Sequence, residues 1–178
     1  MTRAIGVLLL GFLAVVVQGA LAAVVSPPWC PDLALLVVLA IGLRWEGLAS
    51  GLFLAFALGY AADVVSGGLR GGHALLRMFV FIGARLAARQ LNLAGALPLA
   101  ASTAGLSIAY GVAVVLMTGF FSAATLPAWG WFDLLPHAIV NGLAAPLVSA
   151  VVGRLLAWLG DDADPRRLLS LGSSRGAS

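Results

Sequence analysis

Lysine is absent from this sequence, and charge of either sign is scarce. Ten arginines and seven acidic residues make up 10% of 178 residues, with two histidines beside them. A soluble domain of this length needs a polar shell that so few charges cannot supply. The net charge of +3 is a small arginine excess and not a nucleic-acid-binding surface. The one cysteine, Cys30, excludes an internal disulfide framework and a cysteine-based zinc cluster. It follows no Leu-x-Gly lipobox and reads as a small apolar residue near a helix end. Alternation of apolar and polar residues over strand lengths is also missing from the apolar blocks, which argues against a membrane β-barrel.

What the chain has instead is apolar length. Hydrophobic residues are 62% of the sequence, the mean hydropathy is +1.07, and the apolar residues come in long blocks. Backbone polar groups in lipid must be satisfied within their own segment, so such blocks form helices. The pattern predicts an all-α polytopic membrane protein with six spans, at about residues 4–25, 29–44, 48–65, 73–91, 96–123 and 134–159. The first run has Arg3 before it and small residues near its end, as a signal peptide would, but it is long enough for a retained helix. The second is short, and Trp29 and Trp45 bracket it. The polar residues 161–178 read as a disordered cytoplasmic tail.

Arginine bias orients the six spans. One side receives Arg3, Arg44, Arg85, Arg89, Arg154, Arg166, Arg167 and Arg175; the other receives Arg70 and Arg77. Both termini are therefore expected in the cytoplasm. Trp29, Trp129 and Trp131 fall at the outer interface and Trp45 and Trp158 at the inner one, the aromatic-belt pattern.

Three polar constellations stand out. On the third span Gly51, Ala55, Gly59 and Asp63 recur at steps of four and share a face. Small-residue stripes let helices approach closely in lipid, so this is a packing seam or a docking face for another membrane protein. A carboxylate near the end of a span needs a partner. His73 and Arg77 share a face just across the loop, so an Asp63–Arg77 or Asp63–His73 contact is expected. On the last span His137, Asn141, Ala145, Ser149 and Gly153 also recur at steps of four, and interhelical hydrogen bonding is the reading for Asn141 and Ser149. Catalysis would need a nucleophile with a convergent acid–base partner, and zinc three or four ligands. The sequence offers neither, so no enzyme, metal or cofactor is expected. Residues 66–72 are glycine-rich but lack the Lys-Ser/Thr of a phosphate loop. Residues 125–132, rich in Trp and Pro, read as an interfacial anchor.

Three stretches carry a family resemblance. Pro31-Asp32-Leu33-Ala34-Leu35-Leu36 opens the second span. The glycine-bearing third helix ends in Asp63-Val64-Val65-Ser66-Gly67-Gly68-Leu69, and Gly71-Gly72-His73-Ala74-Leu75 opens the fourth. Together they resemble MreD, the bacterial rod shape-determining membrane protein, over residues 31–91. The family often has Gln before this Asp; here it is Ala62. The resemblance implies a non-enzymatic subunit of the bacterial inner membrane. It would bind MreC and act with MreB, RodA and a class B penicillin-binding protein in lateral peptidoglycan synthesis. It also implies a fold similar to the substrate-binding subunits of energy-coupling-factor transporters. The rival expectation is such a small-solute binding subunit, for which the outer side offers Asp63, His73, Arg77, Asp133 and His137.

Overall fold

The computed structural model describes residues 2–26, 28–66, 71–91, 95–121 and 131–161, apart from the side chains of Trp131 and Asp161. Arg70, most of the 125–132 loop with Trp129, and the tail with Arg166, Arg167 and Arg175 lie outside the described residues.

Six α-helices follow in order: α1 Thr2–Ala22, α2 Leu33–Arg44, α3 Leu48–Ser66, α4 Gly72–Gln90, α5 Ala96–Phe121 and α6 Leu134–Asp161. A short 3-10 turn, Trp131–Asp133, leads into α6, and no strand occurs among the described residues. Four of the helices are long and apolar enough to cross a membrane: α1, α3, α5 and α6. α4 has comparable length but carries Arg77, Arg85 and Arg89. Large apolar side chains such as Phe12, Phe53, Phe79, Leu97 and Leu143 point outward. An all-helical bundle with this exterior fits an all-α membrane protein.

α2 is shorter than the expected second span. It starts at Leu33, not near residue 29, and has 12 residues. At 1.5 Å per residue it is about 18 Å long, well short of a bilayer's hydrocarbon thickness of about 30 Å. Pro31 biases Cys30, the residue before it, away from the helical conformation, so the helix does not extend back toward Trp29. Asp32 then acts as the N-cap, its Oδ1 accepting the Leu35 N–H at 2.8 Å. α1 likewise ends at Ala22 rather than residue 25, with Val24 and Val25 held in a turn by the Leu21 carbonyl.

The helices alternate in direction. Gly6 near the start of α1 lies against Leu159 near the end of α6, and Gly11 lies against Leu58 of α3. Gly42 at the end of α2 faces Ala84 near the end of α4, while Gly59 late in α3 faces Ala74 early in α4. Gly111 late in α5 faces Leu134 at the start of α6. Both ends of the described chain therefore lie at one end of the bundle, where Arg3 comes up against Gly160.

α2 is the hub. Every residue from Ala34 to Gly42 is buried, because α1, α3, α4 and α6 all pack on it. A Cβ at Gly42 would stand 2.7 Å from the Ala84 Cβ and 2.9 Å from the Phe81 carbonyl oxygen, so α2 and α4 meet nearly backbone to backbone. At the same end of the bundle Arg85 donates to the carbonyls of Trp45 and Glu46, closing the α2–α3 turn with the end of α4.

Candidate functional site

The small-residue stripe of α3 is occupied from within. Gly51, Ala55, Gly59 and Asp63 are all buried, and α4 covers them. A Cβ at Gly51 would lie 2.6 Å from Phe81 Cε2, and one at Gly59 would lie 2.7 Å from the His73 carbonyl oxygen and 2.8 Å from the Ala74 nitrogen. The stripe is a packing seam inside the chain and not an open docking face.

Asp63 ends that seam at 1% exposure. Its carboxylate accepts three backbone N–H groups at the start of α4: Gly71 at 2.9 Å, His73 at 3.0 Å and Ala74 at 3.2 Å. The first turn of a helix leaves its N–H groups without intrahelical partners and carries the positive end of the helix dipole. A buried carboxylate meets both needs. Gly71 makes the turn possible with φ of 92°, a backbone region that favours glycine. The expected Asp63–Arg77 pair is therefore not formed. Asp63 does reach His73, but through the backbone N–H and not the imidazole.

Arg77 pairs with Asp32. Its Nη2 donates to both Asp32 oxygens, at 3.1 and 3.2 Å, and its Nη1 donates to the Leu58 carbonyl at 2.9 Å. Asp32 thus caps its own helix and neutralises a guanidinium only 2% exposed. The Asp32 backbone N–H donates to Asn141 Oδ1 at 2.9 Å, and Asn141 Nδ2 donates to Ser107 Oγ at 3.3 Å. One connected node so links α2, α3, α4, α5 and α6. Arg77 Nε, buried with it, has no hydrogen-bond acceptor among the described residues.

The polar face of α6 points inward, as its spacing predicts. Asn141 belongs to the node. Ser149 accepts from Arg44 Nη2 at 2.8 Å, and Gly153 leaves room for the Arg44 side chain. His137 Nδ1 lies 3.3 Å from the Pro28 carbonyl oxygen. The sequence places Asp32 in the opening motif of the second span and Arg44 in the charge bias, without their contacts, and does not single out Gln18, Ser107 and Tyr110. Gln18 Oε1 accepts the Ala34 N–H at 3.3 Å, and Tyr110 Oη hydrogen-bonds His73 Nδ1. A signal for Asp32 existed: Pro-Asp ahead of an apolar run is an N-cap pattern. The others are single polar residues on apolar helices, and spacing does not show where such residues point.

Beside the node lies a cavity of about 470 Å³, at the end of the bundle away from the termini. Its polar lining includes Asp32, His73, Arg77, Tyr110 and His137, with Gln18 of α1, Ser66 of α3 and Thr118 of α5. Its apolar wall is Val15, Val65, Val114, Val115 and Leu134. Gly19 and Val65, both exposed, form part of the rim. Among the described residues no three His, Cys, Asp or Glu side chains converge as a metal site. No family model matches this chain, and neither a curated protein nor a solved structure matches it.

Proposed function

We propose that this chain is a non-enzymatic, MreD-like scaffold of the bacterial inner membrane, crossing it six times with both termini in the cytoplasm. In this reading it binds MreC and works with MreB, RodA and a class B penicillin-binding protein in lateral wall synthesis. One observation carries the scaffold reading. The buried charged side chains Asp32, Asp63 and Arg77 are engaged in joining helices to one another. Asp32, Asp63 and Gly71 sit in the stretches that resemble MreD, so the resemblance follows positions that hold α2, α3 and α4 together. Alternating helix directions support six passes, of which α2 is the shortest. Arginine bias supports cytoplasmic termini.

Because α4 fills the Gly51–Asp63 stripe, partner contact falls to outward apolar faces. α3 offers one in Phe53, Phe56, Tyr60 and Val64, with Phe56 and Tyr60 stacked at 6.2 Å between centroids. The test is co-purification of the tagged full chain with a single-span MreC partner from a mild detergent. Retention of MreC supports the reading; its loss under conditions that keep the chain folded refutes it. The cavity favours a second reading, a solute-binding subunit with the fold of energy-coupling-factor substrate-binding subunits. Co-purification with an ATPase-coupled membrane subunit in place of MreC would select it.

A further inference from the structure

Arginines gather where α1 begins and α6 ends: Arg3, Arg44, Arg85, Arg89 and Arg154. Glu46 is the one acidic side chain described at this end, and Arg85 is engaged by the carbonyls of Trp45 and Glu46. Among the described residues the one ion pair is Arg77–Asp32, so none of these guanidinium groups has a carboxylate partner there. Two of them line one face of α6. Arg44, closing α2, donates to Ser149 and lays its guanidinium carbon 3.4 Å from where a Gly153 Cβ would stand. Arg3, opening α1, lies against Gly160. These glycines are seven residues apart, so they share a face and stand about 10 Å apart along the axis. α2 stops at Arg44, while α1 and α6 run on past it together. Both arginines are exposed. Trp158, 68% exposed, sits on α6 between their two levels. An exposed tryptophan near a helix end marks the headgroup region of a bilayer.

We propose that Arg3 and Arg44 bind the headgroup of a two-phosphate anionic lipid, of the cardiolipin class, where the start of α1 and the end of α2 meet α6. Ser149 holds Nη2 of Arg44 and so fixes the side chain, while its Nε and Nη1 have no acceptor among the described residues. A guanidinium fork matches the oxygens of a phosphate, and such charge-assisted pairs are stronger than neutral ones. Two phosphates joined by a three-carbon bridge can each meet one guanidinium; a lone phosphate meets one at a time. Basic pockets between helices at the cytoplasmic surface suit such headgroups. The bilayer itself brings the ligand to this depth, which a soluble acidic partner would have to reach from outside. The inference stands apart from the scaffold reading, because it needs only that this end of the bundle lies at a membrane surface.

The test is the thermal unfolding midpoint of the purified full chain in detergent against added lipid, since a ligand specific to the folded state raises it. The probes are cardiolipin, phosphatidylglycerol at equal total phosphate, and zwitterionic phosphatidylcholine. Inorganic pyrophosphate supplies two phosphates without a lipid. Cardiolipin is expected to stabilise the wild type at the lowest phosphate concentration. Arg3→Gln combined with Arg44→Gln should weaken its binding about tenfold or more. Arg89→Gln, an equal change of charge at the same end but on α4, should leave binding unchanged. The lipid-free midpoint reports whether each variant folds. Should Arg44→Gln not fold, Arg3→Gln alone, at an exposed helix start, carries the test with a loss of about threefold or more. The proposal is overturned if cardiolipin does not stabilise the wild type, or if any of the other three probes stabilises it as well as cardiolipin does. It is also overturned if the Arg3 and Arg44 variants bind as wild type, or if Arg89→Gln weakens binding as much as they do. Binding of cardiolipin only after Asp162→Asn and Asp164→Asn would overturn it too, by giving the two guanidinium groups to the chain's own acidic segment.

Discussion

The buried Asp32–Arg77 pair makes the strongest quantitative claim on this bundle. At 3.1 Å, two unit charges attract by about 5 kcal/mol at an effective dielectric of about 20. Desolvation of both ions offsets much of that, so the pair as a whole adds little net stability. Removing one partner is different, because the other charge stays buried. Arg77→Gln leaves the Asp32 carboxylate with the Leu35 N–H alone, and Asp32→Asn leaves the guanidinium uncompensated while keeping an acceptor for Leu35. Each single change is expected to destabilise by about 3–5 kcal/mol. The double variant should lose clearly less than the sum, with a coupling of about 2 kcal/mol or more, within the range seen for contacting residues. Asp63→Asn combined with Arg77→Gln should show weaker coupling than the Asp32–Arg77 double variant, since Asp63 and Arg77 share no hydrogen bond. Reversible denaturant unfolding in mixed micelles, followed by circular dichroism, yields all of these values. Single variants within about 1 kcal/mol of wild type, or stronger coupling of Arg77 to Asp63 than to Asp32, would refute the reasoning.

Other tests address the remaining joints. Asp63→Ala orphans three N–H groups at the start of α4 and should cost about 3 kcal/mol or more, with Asp63→Asn intermediate because it keeps one acceptor oxygen. Equal unfolding midpoints for the two variants would count against the cap. Gly59→Ala drives a methyl into the backbone of α4 and should destabilise by about 1–3 kcal/mol, whereas Gly19→Ala, with open space around it, should be neutral or slightly stabilising. Asn141→Leu removes the acceptor for the Asp32 N–H and should lower stability by about 1–3 kcal/mol; an unchanged midpoint would show that this link is dispensable. For orientation, a membrane-impermeant maleimide added to whole cells should label Cys30, which is partly exposed at the end away from the termini. Glu46→Cys, made in a Cys30→Ser background, should label only after the membrane is opened. The reverse pattern would invert the topology.

Much of the fold was legible because lipid leaves few choices. A chain this apolar with so few charges must form helices, and span length together with Pro, Gly and Arg placement locates their ends to within a few residues. α2 departs most, since Trp29 marks an interface in the sequence while Pro31 and Asp32 delay the helix to Leu33. The four-step spacing of Gly51, Ala55, Gly59 and Asp63 likewise identified a face that packs. Periodicity names the residues on a face but not the neighbour across it. Only the tertiary structure shows α4 filling that face and Asp63 capping α4. Only the tertiary structure turns Arg77 away from the carboxylate nearest in sequence, toward one 45 residues away. The reason is competition. Three N–H groups at the start of α4 occupy the Asp63 carboxylate, and the start of α2 brings a second carboxylate to Arg77. Burial of charge compels each ion to find a partner; which partner it finds is set by where the helices cross.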